Sequence, residues 1–222
     1  MGNTALTGPT GAQVDGVVRG ALRFDGVDDR VDVPHSANLN QVFGTNTVFT
    51  LEAWAFPRVW SGDNTIMGKA TAGDWSNTTA GIWVWQGFHC VMGSNVGGNP
   101  AGSFIQVHHS PPLNNWHHIV CAANGTNLIM YINGREVGRT AIALLTHPRS
   151  TNTAPLVFGR RTVAHGPSFN GNIDEIRVYN EALRAGEVQM RYAQGLKGLL
   201  ARGMISQEEF DRRMNELQLT DN

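Results

Sequence analysis

The stretches that decide the fold are ALRFDGVDDRVDVP, at Ala21–Pro34, and GNIDEIRVYNEAL, at Gly171–Leu183, which lie about 150 residues apart. Each joins a short alternating strand pattern to a turn rich in Asp, Gly or Asn. The two stretches bracket a long region with β-type patterning, so they predict where one domain begins and ends. They also carry the acidic residues that are best placed to hold a metal or a ligand.

Length and charge exclude several classes of protein. The 222 residues carry a formal net charge of −1, only 16% of them are charged, and the sequence has no basic run. A nucleic-acid partner and a polybasic membrane patch are therefore not expected. No apolar stretch reaches the roughly 20 residues that a membrane span needs. The start, Met1-Gly2-Asn3, lacks the basic and then apolar pattern of a signal peptide, so none is predicted.

Short strand patterns recur along the chain with turn residues between them. Apolar residues alternate in Leu128–Ile132 and Ile173–Tyr179, as expected for strands with one buried face. Asn133-Gly134 predicts a type I′ hairpin turn, because both residues tolerate positive φ angles. Gly81–Val91 is predicted as one strand. Many strands with short connections favour a two-sheet antiparallel sandwich.

The pattern changes to a helical one near residue 184. Glu187–Gln194 and Leu196–Arg202 have helical composition, and Gly203 suits a left-handed helix end. Ser206 and Glu209 have the spacing of a capping box, which predicts the start of a further helix. We therefore predict a sandwich domain at 1–183 and a helical extension at 184–222.

The predicted helices share an apolar stripe that is too small to be stable alone, so it must bury against the sandwich or against another chain. As candidate assembly contacts we take Leu196, Leu199, Leu200, Ile205, Phe210, Met214 and Leu217.

The two cysteines lie in apolar, strand-like stretches. Cys90 is in FHCVM and Cys121 in HHIVCAA. With no secretory signal in view, we predict two buried reduced thiols. A disulfide between neighbouring strands is the alternative.

Five segments in a fixed order carry a resemblance to a known family. ALRFDGVDDRVDVP, FTLEAWAFP, WHHIVCAANGTNLIMYINGREVG, PLVFGRR and GNIDEIRVYNEAL resemble the laminin G-like branch of the concanavalin A-like jelly rolls, over about residues 3–195. The tail LKGLLARGMISQEEFDRRMNEL is similar to the short C-terminal (SHOCT) motif, from about residue 196, which implies a role in assembly. The resemblance implies an all-β, two-sheet antiparallel jelly roll with a short C-terminal helical hairpin.

One part of the family pattern is missing. The family opens with a strand of the type xWxFDEGSG and a DxSGNGN turn, and this chain begins inside that turn. In the family the opening strand lies beside the closing strand, which is Ile173–Tyr179 here. Because an uncovered sheet edge is an aggregation hazard, we expect the residues after 180, or a neighbouring subunit, to cover it.

The resemblance also implies a structural calcium ion. Relatives hold it with acidic residues of the opening turn and closing strand, which corresponds here to Asp174, Asn3 and Asp25. Carboxylate and carbonyl oxygens are the ligands that Ca²⁺ takes. The alternative is that Asp25 and Asp28 are turn residues that bond their own backbone. Calcium is the one cofactor that the resemblance suggests.

Catalysis is not expected. Glycoside hydrolases of this fold carry two glutamates flanking an aspartate on one strand. Asp174 and Glu175 are adjacent, so their side chains are expected on opposite faces. The histidine pairs His108–His109 and His117–His118 lack identifiable further ligands for zinc.

Four tryptophans are candidates for glycan or subunit contacts. Trp60 and Trp75 lie in loop-like stretches, where loop packing is the alternative. Trp83 and Trp85 share one face of a predicted strand, where the sandwich core is the alternative. Aromatic rings with polar neighbours suit sugars, whose C–H faces stack on rings while their hydroxyls need polar partners.

Together these features favour a non-catalytic structural or binding module. The interpretation we prefer is a self-assembling subunit, such as a phage virion surface or decoration protein, made in the cytoplasm and forming a homo-oligomer that contacts glycans. A free carbohydrate-binding or adhesion module is the alternative, and a glycoside hydrolase ranks third.

Overall fold

The computed structural model describes residues 6–7, 13–60, 64–70, 77–96, 98, 100–160 and 168–218. The strands are β1 Leu6–Thr7, β2 Gln13–Asp15, β3 Gly20–Asp25, β4 Arg30–Val33, β5 Val48–Pro57, β6 Asn64–Ala70, β7 Thr78–Val84, β8 Phe88–Gly93, β9 Phe104–His109, β10 His117–Asn124, β11 Asn127–Ile132, β12 Arg135–Ala141, β13 Leu156–Phe158 and β14 Asn170–Tyr179. They form two seven-stranded antiparallel sheets. The front sheet has the order β1-β4-β13-β6-β7-β8-β9, and the back sheet has the order β12-β11-β10-β5-β14-β3-β2.

The core lies between the two sheets, as the predicted sandwich requires. In β5 the buried residues Phe49, Leu51 and Ala53 belong to the cluster shared by both sheets, whereas Trp54 belongs to a different cluster. This period-two alternation gives the back sheet one face toward the core and one face outward. The two-sheet antiparallel fold predicted from the sequence is confirmed.

Hairpin turns follow the residues that tolerate positive φ. Asn133 and Gly134 have φ angles of 53° and 79° and join β11 to β12, as predicted. The predicted strand Gly81–Val91 is wrong, because Gln86 and Gly87, with φ angles of 55° and 150°, turn the chain between β7 and β8. Glutamine is an uncommon residue at positive φ, so the local pattern did not mark this turn.

A disulfide links the two sheets. Cys90 in β8 and Cys121 in β10 are bonded, with their Cα atoms 5.5 Å apart. The prediction of reduced thiols is wrong, since the two residues face each other across the core rather than along one sheet. Closing a loop with a sequence separation of 31 residues stabilises the fold by about 4 kcal/mol in the chain-entropy model.

The helices are α1 Asn40–Phe43, α2 Ala185–Ala201 and α3 Gln207–Gln218. The two short helices predicted before Gly203 form the single helix α2, and Gly203 follows it with a φ angle of 67°. The Ser206 hydroxyl accepts a hydrogen bond from the backbone N–H of Glu209 at 3.1 Å, as the capping pattern predicted. We call α2 and α3 the helical extension; the domain division at 183/184 stays a prediction. Among the described residues, no helix is both long and apolar enough to cross a membrane.

The closing strand β14 has neighbours on both sides. One side pairs with β5, and on the other side Asn170–Ile173 pairs with Leu22–Asp25 of β3. Asp174 then accepts a hydrogen bond from the backbone N–H of Val17 at 2.6 Å. We expected residues after 180, or a neighbouring subunit, to cover this edge of β14. For the half at Asn170–Ile173 the expectation is wrong, because β3 of the same chain covers it.

Candidate functional site

An exposed tryptophan stands on the outer side of the front sheet, at the turn between β7 and β8. Trp85 is 49% exposed, and its backbone N–H donates to the carbonyl of Gly87 at 3.0 Å. The Ser110 hydroxyl donates to the carbonyl of Gln86, which ties the turn to the segment after β9. The indole is therefore presented on a turn that is held at both ends.

Two histidine rings continue from the indole across the sheet. The Trp85 and His89 rings are stacked with their centroids 6.1 Å apart, and the His89 and His108 centroids are 4.3 Å apart. His89 Nε2 lies 2.8 Å from the carbonyl oxygen of Trp85, and its Nδ1 lies 2.9 Å from Oε1 of Gln106. Since a carbonyl oxygen can only accept, Nε2 of His89 carries a proton.

This surface combines an apolar ring with polar groups at its border. Gln106, His108 and Ser110 are all exposed beside the Trp85 turn. An exposed ring offers a stacking face, and the amide, imidazole and hydroxyl groups around it offer hydrogen bonds. We call Trp85, Gln106, His108 and Ser110 the Trp85 surface. Sequence reasoning identified Trp85 but missed the three polar residues, whose placement depends on how β9 pairs with β8.

The other three candidate tryptophans differ from Trp85. Trp83 is 1% exposed, and its indole lies so close over Gly81 that a Cβ there would be 2.6 Å from Nε1. The prediction that Trp83 contacts a ligand is therefore wrong, and Trp83 is a buried packing residue. Trp60 is partly buried and meets Phe88 edge to face at 5.0 Å. Trp75 lies outside the described residues.

The predicted calcium ligands do not come together. Asp25 pairs with Asn170 across β3 and β14, and Asp174 lies four residues further along β14. A strand rises about 3.3 Å per residue, so Asp25 and Asp174 are roughly 13 Å apart. They cannot share one ion, and Asn3 lies outside the described residues. The antiparallel register that separates them is not visible in the sequence.

A different acidic group surrounds Asp25. One carboxylate oxygen each from Asp25, Asp28 and Asp29 lies within 4.8 Å of the others. Asp25 accepts from the backbone N–H of Val27 at 2.8 Å, and its own N–H donates to Asp29 at 2.8 Å, which are turn contacts. Burial raises the pKa of the Asp29 carboxyl, and the negative charges of its two neighbours add to the effect. These turn contacts agree with the alternative in which Asp25 bonds its own backbone, and calcium binding by this protein stays a prediction.

The outer face of the back sheet is covered by the helical extension and holds a buried ionic network. The Glu52 carboxylate is fully buried and accepts from Nε2 of His118 at 3.0 Å, from the Tyr179 hydroxyl at 2.7 Å and from Arg177 at 3.3 Å. Arg191 of α2 lies 3.6 Å from the same carboxylate. The network was missed by sequence reasoning, because the four sheet residues are brought together by strand pairing.

Burial and charge oppose each other in this network. Burial by itself would raise the pKa of the Glu52 carboxyl, but the bonds from His118 and Tyr179 and the charge of Arg177 lower it overall. Burial lowers the pKa of His118 despite its carboxylate partner. Because both pKa values are lowered, Glu52 and His118 take up protons less readily in the folded protein than in the unfolded chain.

The residues predicted for assembly pack mainly inside the chain. Trp54 stacks on Tyr192 of α2 with the ring centroids 5.7 Å apart. Leu196, Leu199 and Leu217 are buried in the same cluster, and Ile205, Phe210 and Met214 pack against it. Leu200 is half-buried. The stripe therefore packs against the sandwich, which is one of the two alternatives that the sequence left open, and it does not form an exposed assembly surface.

A family model described as the concanavalin A-like lectin/glucanases superfamily, of laminin G type, matches residues 25–189. This chain belongs to that superfamily. The match ends within α2, so the assembly motif predicted for the tail stays a prediction. A search of curated proteins found no match.

Solved structures with the superfamily fold include binding domains and domains of enzymes. The chain is similar to the binding domain of Paraclostridial Mosquitocidal Protein 1, with a TM-score of 0.67 and 21% identity over 87% of this chain and 48% of that one. It is also similar to domain 4 of an extracellular arabinanase from Geobacillus stearothermophilus, solved with arabinotriose, with a TM-score of 0.61 and 19% identity over 82% and 81% of the two chains.

A third similar structure is Trypanosoma rangeli sialidase, with a TM-score of 0.57 and 16% identity over 79% of this chain and 27% of that chain. This chain thus spans about half of the mosquitocidal binding domain and about a quarter of the sialidase. At identities this low, the similarity shows that the fold is shared and nothing more.

Proposed function

We propose that this protein is a non-catalytic carbohydrate-binding module whose main sugar contact is Trp85. The observation that carries the proposal is the 49% exposure of the Trp85 ring, on a turn held by Gly87 and Ser110. Exposed apolar surface that is bordered by polar groups is typical of ligand-binding sites. Gln106 and His108 supply the hydrogen-bonding groups that sugar hydroxyls need.

The similar structures support a binding role. One of them is the binding domain of a mosquitocidal protein, and the arabinanase domain was solved with arabinotriose. That domain is also matched over 81% of its length, so its ligand is a suitable first probe.

The proposal of a non-catalytic role rests on how the candidate carboxylates are used. Asp174 accepts from the backbone of Val17, and Glu175 is paired with Arg177. Glu52 is fully buried in the ionic network beneath α2. These three groups hold the fold together and are poorly placed to act on a substrate.

The test is a binding measurement with arabinotriose and a glycan array on the wild type, Trp85→Ala and Met190→Ala. We expect Trp85→Ala to weaken binding about tenfold or more, because it removes both the stacked area and the specific ring contact. Met190 is 69% exposed on α2, far from the Trp85 surface in sequence and fold, so Met190→Ala serves as the control and should bind like the wild type. Equal binding by Trp85→Ala and the wild type would contradict the proposal.

The second candidate is a self-assembling subunit, such as a virion surface or decoration protein with a SHOCT-like tail. In its favour, the helical extension continues beyond the family match and leaves Met190 exposed. Against it, the apolar stripe that we assigned to assembly is buried within the chain. Light scattering on the full chain, over a wide range of concentration, decides between a monomeric module and an assembly.

A further inference from the structure

A pocket of about 400 Å³ lies where the helical extension meets the sandwich. Three segments form it: the turn between β11 and β12, the loop before β10, and the end of α3 with Tyr192 of α2. Its volume lies within the range of small-molecule sites, and it sits at a junction of two structural units, where such sites are common. We call it the junction pocket.

The floor of the junction pocket is fixed before any ligand arrives. His117 Nε2 donates to the carbonyl of Pro112 at 2.8 Å, and its Nδ1 accepts from the Asn133 amide at 3.2 Å. Asn133 in turn accepts from the backbone N–H of His118 at 3.0 Å. This arrangement requires neutral His117, and burial lowers its pKa to about 4. The floor is therefore rigid and uncharged near neutral pH.

The two carboxylates in the wall are already neutralised. Glu136 accepts two hydrogen bonds from Arg139, each at 2.6 Å. Glu216 is paired with Arg212, which lies outside the pocket lining. Neither glutamate therefore leaves an uncompensated negative charge to repel an anion.

The two arginines in the wall differ from each other. Arg213 is buried and donates to Glu209 at 2.6 Å and to the carbonyl of Trp116 at 3.0 Å. Arg135 is exposed at the first position of β12, and within the described ranges its guanidinium has no ion-pair partner. The pocket thus holds one positive charge that is free for a ligand.

Apart from His109 and Ser110, the rest of the wall is apolar. Pro111, Pro112, Val137 and Leu217 line it together with the ring of Tyr192. Such a wall suits the body of a small ring rather than a bare inorganic ion, which would gain nothing from it.

We propose that the junction pocket binds a small organic carboxylate with a ring-sized body. Its carboxylate pairs with Arg135, whose planar guanidinium can donate two parallel hydrogen bonds to it. Its body packs between the loop before β10 and the helical extension. The extension then has a role in binding, because without α3 the pocket has no second wall.

The test compares methyl glucuronide with methyl glucoside, which differ in that only the former carries a carboxylate. By calorimetry and chemical-shift mapping, we expect the wild type to bind the glucuronide at least tenfold more tightly, with shifts centred on the junction pocket. Arg135→Ala should lose about 10- to 100-fold in affinity, the range for a charge-assisted hydrogen bond. Arg139→Ala should also weaken binding, since it releases the charge of Glu136.

Two controls separate this proposal from the proposed function. Lys197→Ala removes an exposed cation of α2 outside the pocket lining. Trp85→Ala removes the Trp85 ring, which does not line the pocket, and leaves Ser110, the one residue that the Trp85 surface and the pocket share. Both variants should bind the glucuronide like the wild type. Arg135 is exposed, so an unchanged melting temperature will show that its variant is folded. No binding of the glucuronide, equal binding of both sugars, or unaltered affinity in Arg135→Ala would each overturn the proposal.

Discussion

The outer faces of the two sheets each carry a tryptophan, but only one of these rings meets solvent. On the back sheet Trp54 is 2% exposed, stacked on Tyr192 and pressed against Gly195 of α2. On the front sheet, at the turn between β7 and β8, Trp85 is 49% exposed. The helical extension closes the outer face of the back sheet around Trp54. On the front sheet the residues of β6, β7 and β8 are buried, Trp83 among them, and the turn that carries Trp85 reaches solvent.

The closed face also differs in its chemistry. It buries the Glu52 carboxylate with His118, Tyr179 and Arg177, and Arg191 of α2 approaches the same group. A buried ionic network is a weak source of net stability, but removing one of its members is costly because the remaining charges are left without partners. The helical extension therefore contacts the back sheet through an ion pair with a defined geometry as well as through apolar packing.

The largest expected effect separates the two tryptophans. Trp54→Ala should lower the free energy of unfolding by about 3–5 kcal/mol, since it leaves a large cavity between the back sheet and α2. Trp85→Ala should change it by no more than about 0.5 kcal/mol, because the ring is half in solvent. Urea denaturation of both variants and the wild type measures the free energy of unfolding. Similar losses in both variants would break the comparison between a covered tryptophan and an exposed one.

Acid should destabilise the fold through a buried histidine of β10. The folded protein holds the pKa of His117 at about 4, chiefly through burial, whereas the unfolded chain binds this proton near pH 6.5. The unfolded state thus takes up the proton first, so stability is lost as the pH falls from about 6.5 to about 4. With a shift of this size the loss approaches about 3 kcal/mol. The lowered pKa of Glu52 acts in the same direction at lower pH.

The measurement is the free energy of unfolding at several pH values for the wild type and His117→Gln. Glutamine can still donate to the carbonyl of Pro112 but does not titrate. The variant should lose distinctly less stability between pH 7 and pH 4 than the wild type does. Parallel curves for the two proteins would show that His117 is not the group responsible.

Local patterns predicted the parts of the fold that depend on a few neighbouring residues. The turn at Asn133 and Gly134, the helix end at Gly203 and the cap at Ser206 all follow from their own conformational preferences. The disulfide could not be predicted in this way. Cys90 meets Cys121 only because β8 and β10 lie opposite each other across the core.

The candidate site shows the same limit. Sequence reasoning placed Trp83 and Trp85 on one face of one strand, but the turn after Trp85 leaves its ring in solvent while Trp83 packs over Gly81. Gln106 became a neighbour of His89 through the pairing of β8 with β9. Residues that act through long-range register were therefore missed, whereas an aromatic residue could be picked out by its type alone.

The smallest expected effect comes from two glycines of the same helix. A Cβ on Gly195 would lie 2.6 Å from Cε2 of Trp54, whereas a Cβ on Gly186 would meet nothing within 4 Å. Alanine favours a helix over glycine by up to about 1 kcal/mol, so Gly186→Ala should be neutral or slightly stabilising. In Gly195→Ala the overpacking, about 1–3 kcal/mol, exceeds that gain and should lower the free energy of unfolding by about 1 kcal/mol. If both variants were stabilised alike in urea denaturation, α2 would not be packed tightly on Trp54.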